Sequence, residues 1–433
     1  MELYEHQKEA LRALEGKNRC AVYYDMGLGK TFIGSEKMAQ LGAAVNLVIC
    51  QKSKIDDWID HFKENYAFGT MLIADLTNKK QWDAFFKYLN NPTNFTKHCQ
   101  LVGVINYDLV WRRKELLNLE NFTLMLDESS LITNRTAKRS AFILKLRPAN
   151  VILLSGTPTA GKYENLWSQL QLLGWNIDED TYFKSYVDYE WSEIGDGHFE
   201  KHILGYKNVD HLKRRLAKFG AIFKKTDEVL DLPDQVDQVI YINPSEDYKQ
   251  FCKHSYVKLD IDTELMGDTT LTQILGERQL CAQYSLDKIK AFKDLLESTE
   301  DRLIVFYNFN EELYKLGEIC DALNRPMSVV NGKLKMLDAY NSRSNSVTFV
   351  QYKAGAYGLN LQKANKIVYF SLPLGLGSCD LWEQSKKRIH RIGQDHTCFY
   401  YYLLVKDSIE TWNLELLRLG EELTDYLFEN KSL

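Results

Sequence analysis

Several familiar signatures are missing from this sequence. Its eight cysteines, at positions 20, 50, 99, 252, 281, 320, 379 and 398, form no C-x-x-C pair and share no clustered spacing with histidine. That argues against structural zinc and a disulfide framework, and for reduced thiols in an intracellular protein. No apolar run approaches the ~20 residues of a membrane span, so no membrane partner is expected. The opening MELYEHQKEAL has the pattern of a charged helix rather than a signal peptide. The expected location is the cytoplasm. Proline is scarce, at seven residues, and there is no repeat or low-complexity tract. The net charge is −5, so no global basic field advertises nucleic acid, although a local groove can be basic on an acidic protein.

What is present is an ordinary globular composition, 45% hydrophobic and 26% charged, with ample material for sizeable cores. At about 150 residues per domain, the length of 433 predicts two or three domains. From residue 19 to 157 the runs CAVYYD, VNLVIC, LVGVINY, FTLMLDE and NVILLSGT alternate with helical patterns. A second set follows from residue 302: RLIVFYNF, MSVVNG, SVTFVQY, KIVYFSLP and CFYYYLLV. Near-continuous apolarity suits strands buried on both faces, as in a parallel sheet. Residues 161–285 read as mostly helical, and SIETWNLELLRLGEELTDYLFEN as a helix with apolar periodicity. The expected fold class is α/β, with two parallel-sheet lobes in tandem at 1–160 and 286–433. A mostly helical insertion and linker at 161–285 joins them.

CAVYYDMGLGKTFIG reads as strand, glycine-containing turn and helix. Gly27 and Gly29 let the backbone turn tightly and bring N–H groups to a phosphate. Lys30 offers a point charge to the β- and γ-phosphates, and Thr31 a hydroxyl to Mg2+. The helix N-terminus adds its dipole. The full eight-residue loop pattern wants glycine where Tyr24 stands, so the match is to a shortened G-x-G-K-T form. The competing reading is a chance glycine-rich turn. The second part such a site needs is an acid at the end of a buried strand. FTLMLDESS supplies Asp127, to hold Mg2+ through water, and Glu128, to polarise the attacking water. Two solvated acids capping a strand are the bland alternative.

Phosphoryl transfer otherwise needs positioning and positive charge on the developing oxygens. In QSKKRIHRIGQ, Arg388 and Arg391 stand three apart, which on a helix is one face. Alone, the run is a basic solvated face, and Lys386 and Lys387 keep that reading. Set beside DMGLGKT and LDESS, the arginines gain an anion to address, the γ-phosphate held by the other lobe. Engaging it only when the lobes close would couple hydrolysis to lobe motion.

At these residues the chain resembles the Swi/Snf-type helicase-like ATPases of helicase superfamily two, over nearly its whole length and with the motifs in the family's order. DMGLGKT matches the family's loop, and LYEHQKEAL looks like the adenine-reading glutamine motif, which nominates Gln7. VICQKSKIDDW and INYDLV resemble motifs Ia and Ib, which touch the DNA backbone in the family and nominate Lys52, Ser53, Asn106 and Tyr107. LLSGTPTAGKYENLWSQLQLL is similar to motif III, where Ser155, Gly156 and Thr157 would link ATP state to DNA grip. FKKTDEVLDLP looks like the family's basic run, and RQLCAQ like a helix preceding the second lobe. FYNF and VVNG occupy the places of motif IV and its successor and add Asn308 and Asn331 as DNA-binding candidates. AGAYGLNLQKANKIVYF resembles motif V, with Gly358 at the nucleotide. WEQSKKRIHRIGQ resembles motif VI, with Gln384 in coupling. GLNLQ together with RIHRIGQ is specific to this family.

The resemblance implies two RecA-like lobes, ATP and Mg2+ as cofactors, and a monomeric motor on duplex or forked DNA, recruited by a replication or recombination protein. One departure is the acid box, Asp-Glu-Ser-Ser, where the family usually has His in fourth place. Ser130 would then make that interdomain hydrogen bond. The 161–285 segment looks most like a distant branch that includes fork-remodelling and annealing enzymes, and so compact a core like phage and bacterial members. No chromatin-reading, nuclease or zinc module is read in it. The basic stretches WRRK (111–114), NRTAKR (134–139), LKRRLAK (212–218) and KK (224–225) are phosphate-contact candidates or solvated faces. Lys52 and Arg135 gain most from motif adjacency. Trp111 and Trp382 fit core packing better than base stacking. His6 and His390 fit packing or hydrogen bonding, since the hydrolysis needs neither.

Three functions are compatible with these residues. The preferred one is an ATP-driven translocase on duplex DNA. The second is a strand-separating or annealing helicase of (phage) replication or recombination. The third is a nucleotide-dependent binding switch with little turnover, which the Asp-Glu-Ser-Ser box keeps in play.

Overall fold

The apolar runs become strands because each can bury residues on both faces. The computed structural model describes residues 3–25, 27–66, 71–90, 100–159, 162–195, 198–225, 228–229, 232–261, 263–352, 359–375 and 377–420. The chain divides into two compact units, Met1–Leu230 and Asp231–Leu433.

The first unit contains β1 (Arg19–Tyr24), β2 (Val45–Cys50), β3 (Met71–Asp75), β4 (Gln100–Asn106), β5 (Thr123–Asp127) and β6 (Asn150–Leu154). A separate antiparallel hairpin, β7 (Val187–Gly195) and β8 (His198–Tyr206), precedes β9 (Ala221–Lys224). The main sheet has seven strands in the order β3-β4-β2-β5-β6-β1-β9, and every pairing in it is parallel. Alternate residues feed opposite cores. Along β1, Ala21 and Tyr23 pack with Trp82, Phe85 and Leu170, whereas Cys20, Val22 and Tyr24 pack with Ile33, Trp58 and Phe62. The latter face is covered by α1 (Glu5–Ala13), α2 (Lys30–Leu41) and α3 (Ile55–Tyr66). Because the sheet is parallel, the turns after β1, β2, β4, β5 and β6 all emerge at one edge, where α/β sheets place their ligands.

The second unit contains β10 (Gln235–Ile242), a hairpin of β11 (Tyr256–Lys258) and β12 (Glu264–Met266), then β13 (Leu303–Tyr307), β14 (Met327–Val330), β15 (Lys335–Met336), β16 (Val347–Gln351), β17 (Lys366–Tyr369) and β18 (Cys398–Val405). Its seven-stranded sheet runs β10-β18-β17-β13-β16-β14-β15, parallel except for the β14–β15 hairpin. β13 again splits its residues, Ile304 and Phe306 to one core and Leu303, Val305 and Tyr307 to the other. The fold is thus α/β, a tandem pair of RecA-like parallel-sheet units.

Residues 161–285 differ from the mostly helical segment expected. Among the described residues they hold six strands, β7 to β12, and they divide between the two units. β9 forms an edge of the first sheet and β10 an edge of the second. These edge strands carry little continuous apolarity, since only one side is hydrogen-bonded and covering is partial; β10 buries only Ile242 fully. The C-terminal helix spans Ile409–Leu419, and the rest of that expected helix lies outside the described residues. Among the described residues no helix is long and apolar enough to cross a membrane.

Candidate nucleotide site

The turn after β1 takes its shape from two glycines in the left-handed region, Gly27 (φ 87°) and Gly29 (φ 72°). A Cβ on Gly29 would lie 2.1 Å from Gln7 Nε2, so a side chain there would have to push the Gln7 carboxamide aside. Gln7 is buried. Its Nε2 donates to the Gly29 carbonyl at 3.5 Å, and its Oε1 accepts the Tyr4 N–H at 2.9 Å. His6 Nε2 lies 3.0 Å from the Leu28 carbonyl. Consecutive side chains of α1 therefore brace the loop. Lys30 Nζ donates to the carbonyls of Tyr24 (2.8 Å) and Asp25 (3.2 Å). Neutral carbonyls hold an ammonium less strongly than phosphate oxygens do, so the lysine is poised to exchange them for an anion. Behind Thr31, Ser35 Oγ donates to the Thr31 carbonyl (2.9 Å) and meets His61 Nε2 (2.9 Å). Burial pushes the His61 imidazole down to about 4, so it is neutral at pH 7.

The acids close β5. Trp58 Nε1, on α3, donates to Asp127 Oδ2 at 2.8 Å. The Tyr107 hydroxyl donates to the Asp127 carbonyl at 2.9 Å. Burial, then the charge of Asp127, raises the Tyr107 phenol well above its ordinary range, and the same two causes raise the Cys50 thiol at the end of β2. Glu128 sits at φ 55°, a left-handed conformation that costs a non-glycine residue about 1–3 kcal/mol and turns the chain sharply after the strand. Ser129, fully buried, donates its hydroxyl to Gln169 Oε1 at 2.8 Å. Among the described residues no group of three or more His, Cys, Asp or Glu side chains is arranged to hold a metal.

Asp127 pairs with Leu154 across the sheet, so the acid box and the Ser155–Thr157 turn emerge side by side. Ser155 is buried, and its Oγ accepts the Thr157 N–H at 3.2 Å. Lys52 and Ser53 are exposed on the turn between β2 and α3. Asn106, the last residue of β4, is only 6% exposed. Arg135 forms an ion pair with Glu179 (2.6 Å) and lies over the Trp167 ring.

In the second unit one expectation is corrected. The helix Ser378–Lys386 stops before either arginine, so Arg388 and Arg391 do not share a helix face. Beyond it the chain runs in turns that bury both Ile389 and Gln394. The amide of Gln394 donates to the carbonyls of Gln362 (3.2 Å) and Ala364 (2.8 Å). The arginines nonetheless converge on adjacent residues. Arg388 Nη1 donates to the Leu359 carbonyl (3.3 Å) and its Nε to the Gln384 carbonyl (3.1 Å), while Arg391 donates to the Asn360 side chain. RIHRIGQ is thus clamped onto the LNLQ segment, residues 359–362. Arg388 is 7% exposed and Arg391 partly exposed; burial lowers the pKa of Arg391. Gln384 is buried, and among the described residues its Oε1 has no hydrogen-bond partner.

Other candidates are engaged internally. Asn308 Nδ2 donates to Ser371 Oγ and the Leu372 carbonyl, both at 2.9 Å. Asn331 Oδ1 caps the β14–β15 turn by accepting the N–H groups of Lys333 and Leu334. His390 Nε2 lies 2.9 Å from the Pro233 carbonyl, and Trp382 is buried in the core. Trp111 packs against the first unit's core. Gly358 lies outside the described residues.

Comparison with known proteins follows the same order along the chain. The model of the SNF2-related domain matches residues 6–286, and that of the helicase conserved C-terminal domain matches residues 287–393. The chain belongs to the SNF2-related family. SNF2-related relatives include the SWI/SNF-related matrix-associated actin-dependent regulator of chromatin subfamily A member 1 of Mus musculus, 24% identical over 89% of this chain and 39% of that protein. The subfamily A-like protein 1 homolog of Caenorhabditis elegans is 23% identical over 95% of this chain and 60% of its own length. The putative ATP-dependent helicase/translocase YwqA of Bacillus subtilis is 22% identical over 94% and 46%. The chain therefore spans between about two-fifths and three-fifths of these relatives. Among solved structures, the Sulfolobus solfataricus SWI2/SNF2 ATPase core in complex with double-stranded DNA aligns over 97% of this chain and 91% of its own, at 17% identity and a TM-score of 0.44.

Two residues of this SNF2-related site escaped motif reading, Trp58 and Gln169. Trp58 stands in the motif Ia string without a role of its own there, and it is also a core aromatic. Gln169 carries one signal, a carboxamide in an otherwise apolar helical phase of LWSQLQLL. A polar group buried in such a phase must have partners.

Proposed function

We propose that the chain is an ATP-driven translocase on duplex DNA. The observation that carries this reading is the shared sheet edge. The phosphate loop follows β1, the Lys52–Ser53 turn β2, the acid box β5 and the Ser155–Thr157 turn β6, all strands of one parallel sheet. Residues that would hold a nucleotide and residues that would touch a DNA backbone are thereby fixed in one rigid frame. Trp58 ties α3, which the Lys52 turn begins, directly to Asp127.

In this reading Gln7, Gly27, Gly29 and Lys30 bind ATP, with Gly358 adding to the nucleotide site. Thr31 and Asp127 hold Mg2+, which when bound neutralises phosphate charge. Glu128 orients the attacking water, Arg391 supplies positive charge to the γ-phosphate in the hydrolysing state, and the more deeply buried Arg388 holds the turn that carries it. Lys52, Ser53 and Arg135 are the exposed contacts for phosphates. Asn106, Tyr107, Asn308 and Asn331 act from behind, holding the turns. Ser130, Ser155, Gly156, Thr157 and Gln384 couple the two events. The translocase is monomeric, intracellular and recruited by a replication or recombination protein.

The test is the rate of ATP hydrolysis measured against duplex, forked and single-stranded DNA and RNA. Duplex should stimulate most, and Lys30→Ala should abolish turnover with every ligand. Far greater activation by single-stranded DNA or RNA than by duplex sinks the reading.

A further inference from the structure

Gln169 lies in the short helix Trp167–Leu172 and is fully buried. Its carboxamide joins three segments. Oε1 accepts the hydroxyls of Ser129 (2.8 Å) and Tyr23 (2.9 Å), and Nε2 donates to the Pro158 carbonyl (2.7 Å). Its orientation is fixed by chemistry: a carbonyl cannot donate, so only nitrogen can face Pro158, which leaves the oxygen for the two hydroxyls. Each partner is one residue from the nucleotide site. Tyr23 precedes Tyr24, whose carbonyl holds Lys30. Ser129 follows Glu128, and Pro158 follows Thr157. A shift that stretched any of these bonds would leave a buried polar atom unsatisfied, so the segments are constrained to move together.

We propose that Gln169 is a positioning residue that carries nucleotide state from the acid box to the Ser155–Thr157 turn. This rests on the reading of the site as one that binds ATP. The Ser129 and Pro158 arms carry the signal, because they join the two turns at the sheet edge. The Tyr23 arm anchors the carboxamide to the sheet and is not part of the relay.

Hydrogen–deuterium exchange on the full chain reads the relay directly, with and without a saturating non-hydrolysable ATP analogue and Mg2+. In the wild type, nucleotide should slow exchange at the amides of Ser155, Gly156, Thr157 and Thr159 by about fivefold or more. In Gln169→Leu and Ser129→Ala the slowing should shrink below about twofold, while Tyr23→Phe keeps it. Ser129→Ala removes a single hydroxyl and carries the test alone if Gln169→Leu does not fold. A merely structural contact would change stability without changing this nucleotide-dependent difference. No slowing in the nucleotide-saturated wild type, or slowing retained in Ser129→Ala, overturns the proposal. DNA stimulation of hydrolysis, measured alongside, judges the translocase reading separately, since the exchange measurement contains no DNA.

Discussion

The indole N–H of Trp58 donates to Oδ2 of Asp127 at 2.8 Å, joining α3 to the last residue of β5. A hydrogen bond to a charged group contributes about 1.5–3 kcal/mol, and here it fixes the rotamer of the carboxylate assigned to Mg2+. Trp58 also fills the core beside Phe62, so Trp58→Phe keeps an aromatic ring there and removes the donor. The Mg2+ concentration for half-maximal ATP hydrolysis should rise by ~10-fold or more in this variant. Identical Mg2+ titrations of variant and wild type would show that Asp127 is not positioned by this bond.

The two arginines of RIHRIGQ separate by burial. Arg388 is nearly enclosed and spends its donors on the carbonyls of Leu359 and Gln384. Arg391 is partly exposed and holds the Asn360 side chain. Arg388→Ala should therefore destabilise the second unit by about 1–3 kcal/mol, the cost of leaving buried hydrogen-bonding groups without a partner. Arg391→Ala should leave stability and ATP affinity nearly intact while turnover falls ~10³-fold, as for a lost arginine finger. Chemical unfolding and nucleotide titration of each variant separate the two. A collapse of ATP affinity in Arg391→Ala would make that residue a ground-state binder instead.

The strands legible in the sequence are the interior ones. In each sheet the five central strands are continuous apolar runs, and the four edges, β3, β9, β10 and β15, went unread. An edge strand is hydrogen-bonded on one side only and need not be apolar throughout, so QVDQVIYI and AIFK carry no strong run. The phosphate loop and the acid box were legible because glycine conformation and acid placement are local requirements. Arg388 and Arg391 follow the end of the helix at Lys386 and do not share the helix face their spacing suggests. Their convergence depends on Leu359 and Asn360, about 30 residues earlier, which no local periodicity encodes. Trp58 and Gln169 were missed for the same reason, since their roles are contacts with Asp127 and Ser129 across the fold.

Gly29 and Gln7 should behave as a coupled pair. Gly29→Ala imposes a side chain at φ 72° and places its Cβ 2.1 Å from Gln7 Nε2. The left-handed conformation alone costs about 1–2 kcal/mol, and the contact pushes the Gln7 carboxamide off the Gly29 carbonyl. ATP affinity should fall by ~10-fold or more. Gln7→Ala alone should weaken binding less. The double variant should be no worse than Gly29→Ala, because the alanine at position 7 removes the clash. Additive losses, measured by nucleotide titration, would show that the two side chains do not meet in solution.

A last prediction concerns Glu312, which is 0% exposed in the second unit. Its Oε2 accepts the N–H groups of Asn308 (2.8 Å) and Phe309 (3.3 Å) and the hydroxyl of Ser371 (3.0 Å). Burial raises its carboxyl to about 7, against the lowering effect of those N–H groups and of Lys288. The folded-state value lies above the unfolded one, so the native state holds an extra proton between them. The associated stability is present in full below the ordinary carboxyl range and is lost as pH rises through about 7. A shift of that size corresponds to something on the order of 3 kcal/mol. Glu312→Gln keeps an acceptor for the same donors and cannot ionise, so its stability should decline less on alkalinisation. Denaturant unfolding of the full chain at about pH 5 and about pH 8 should show the variant gaining on the wild type only at the higher pH. Parallel pH profiles would mean that Glu312 remains ionised in its buried site.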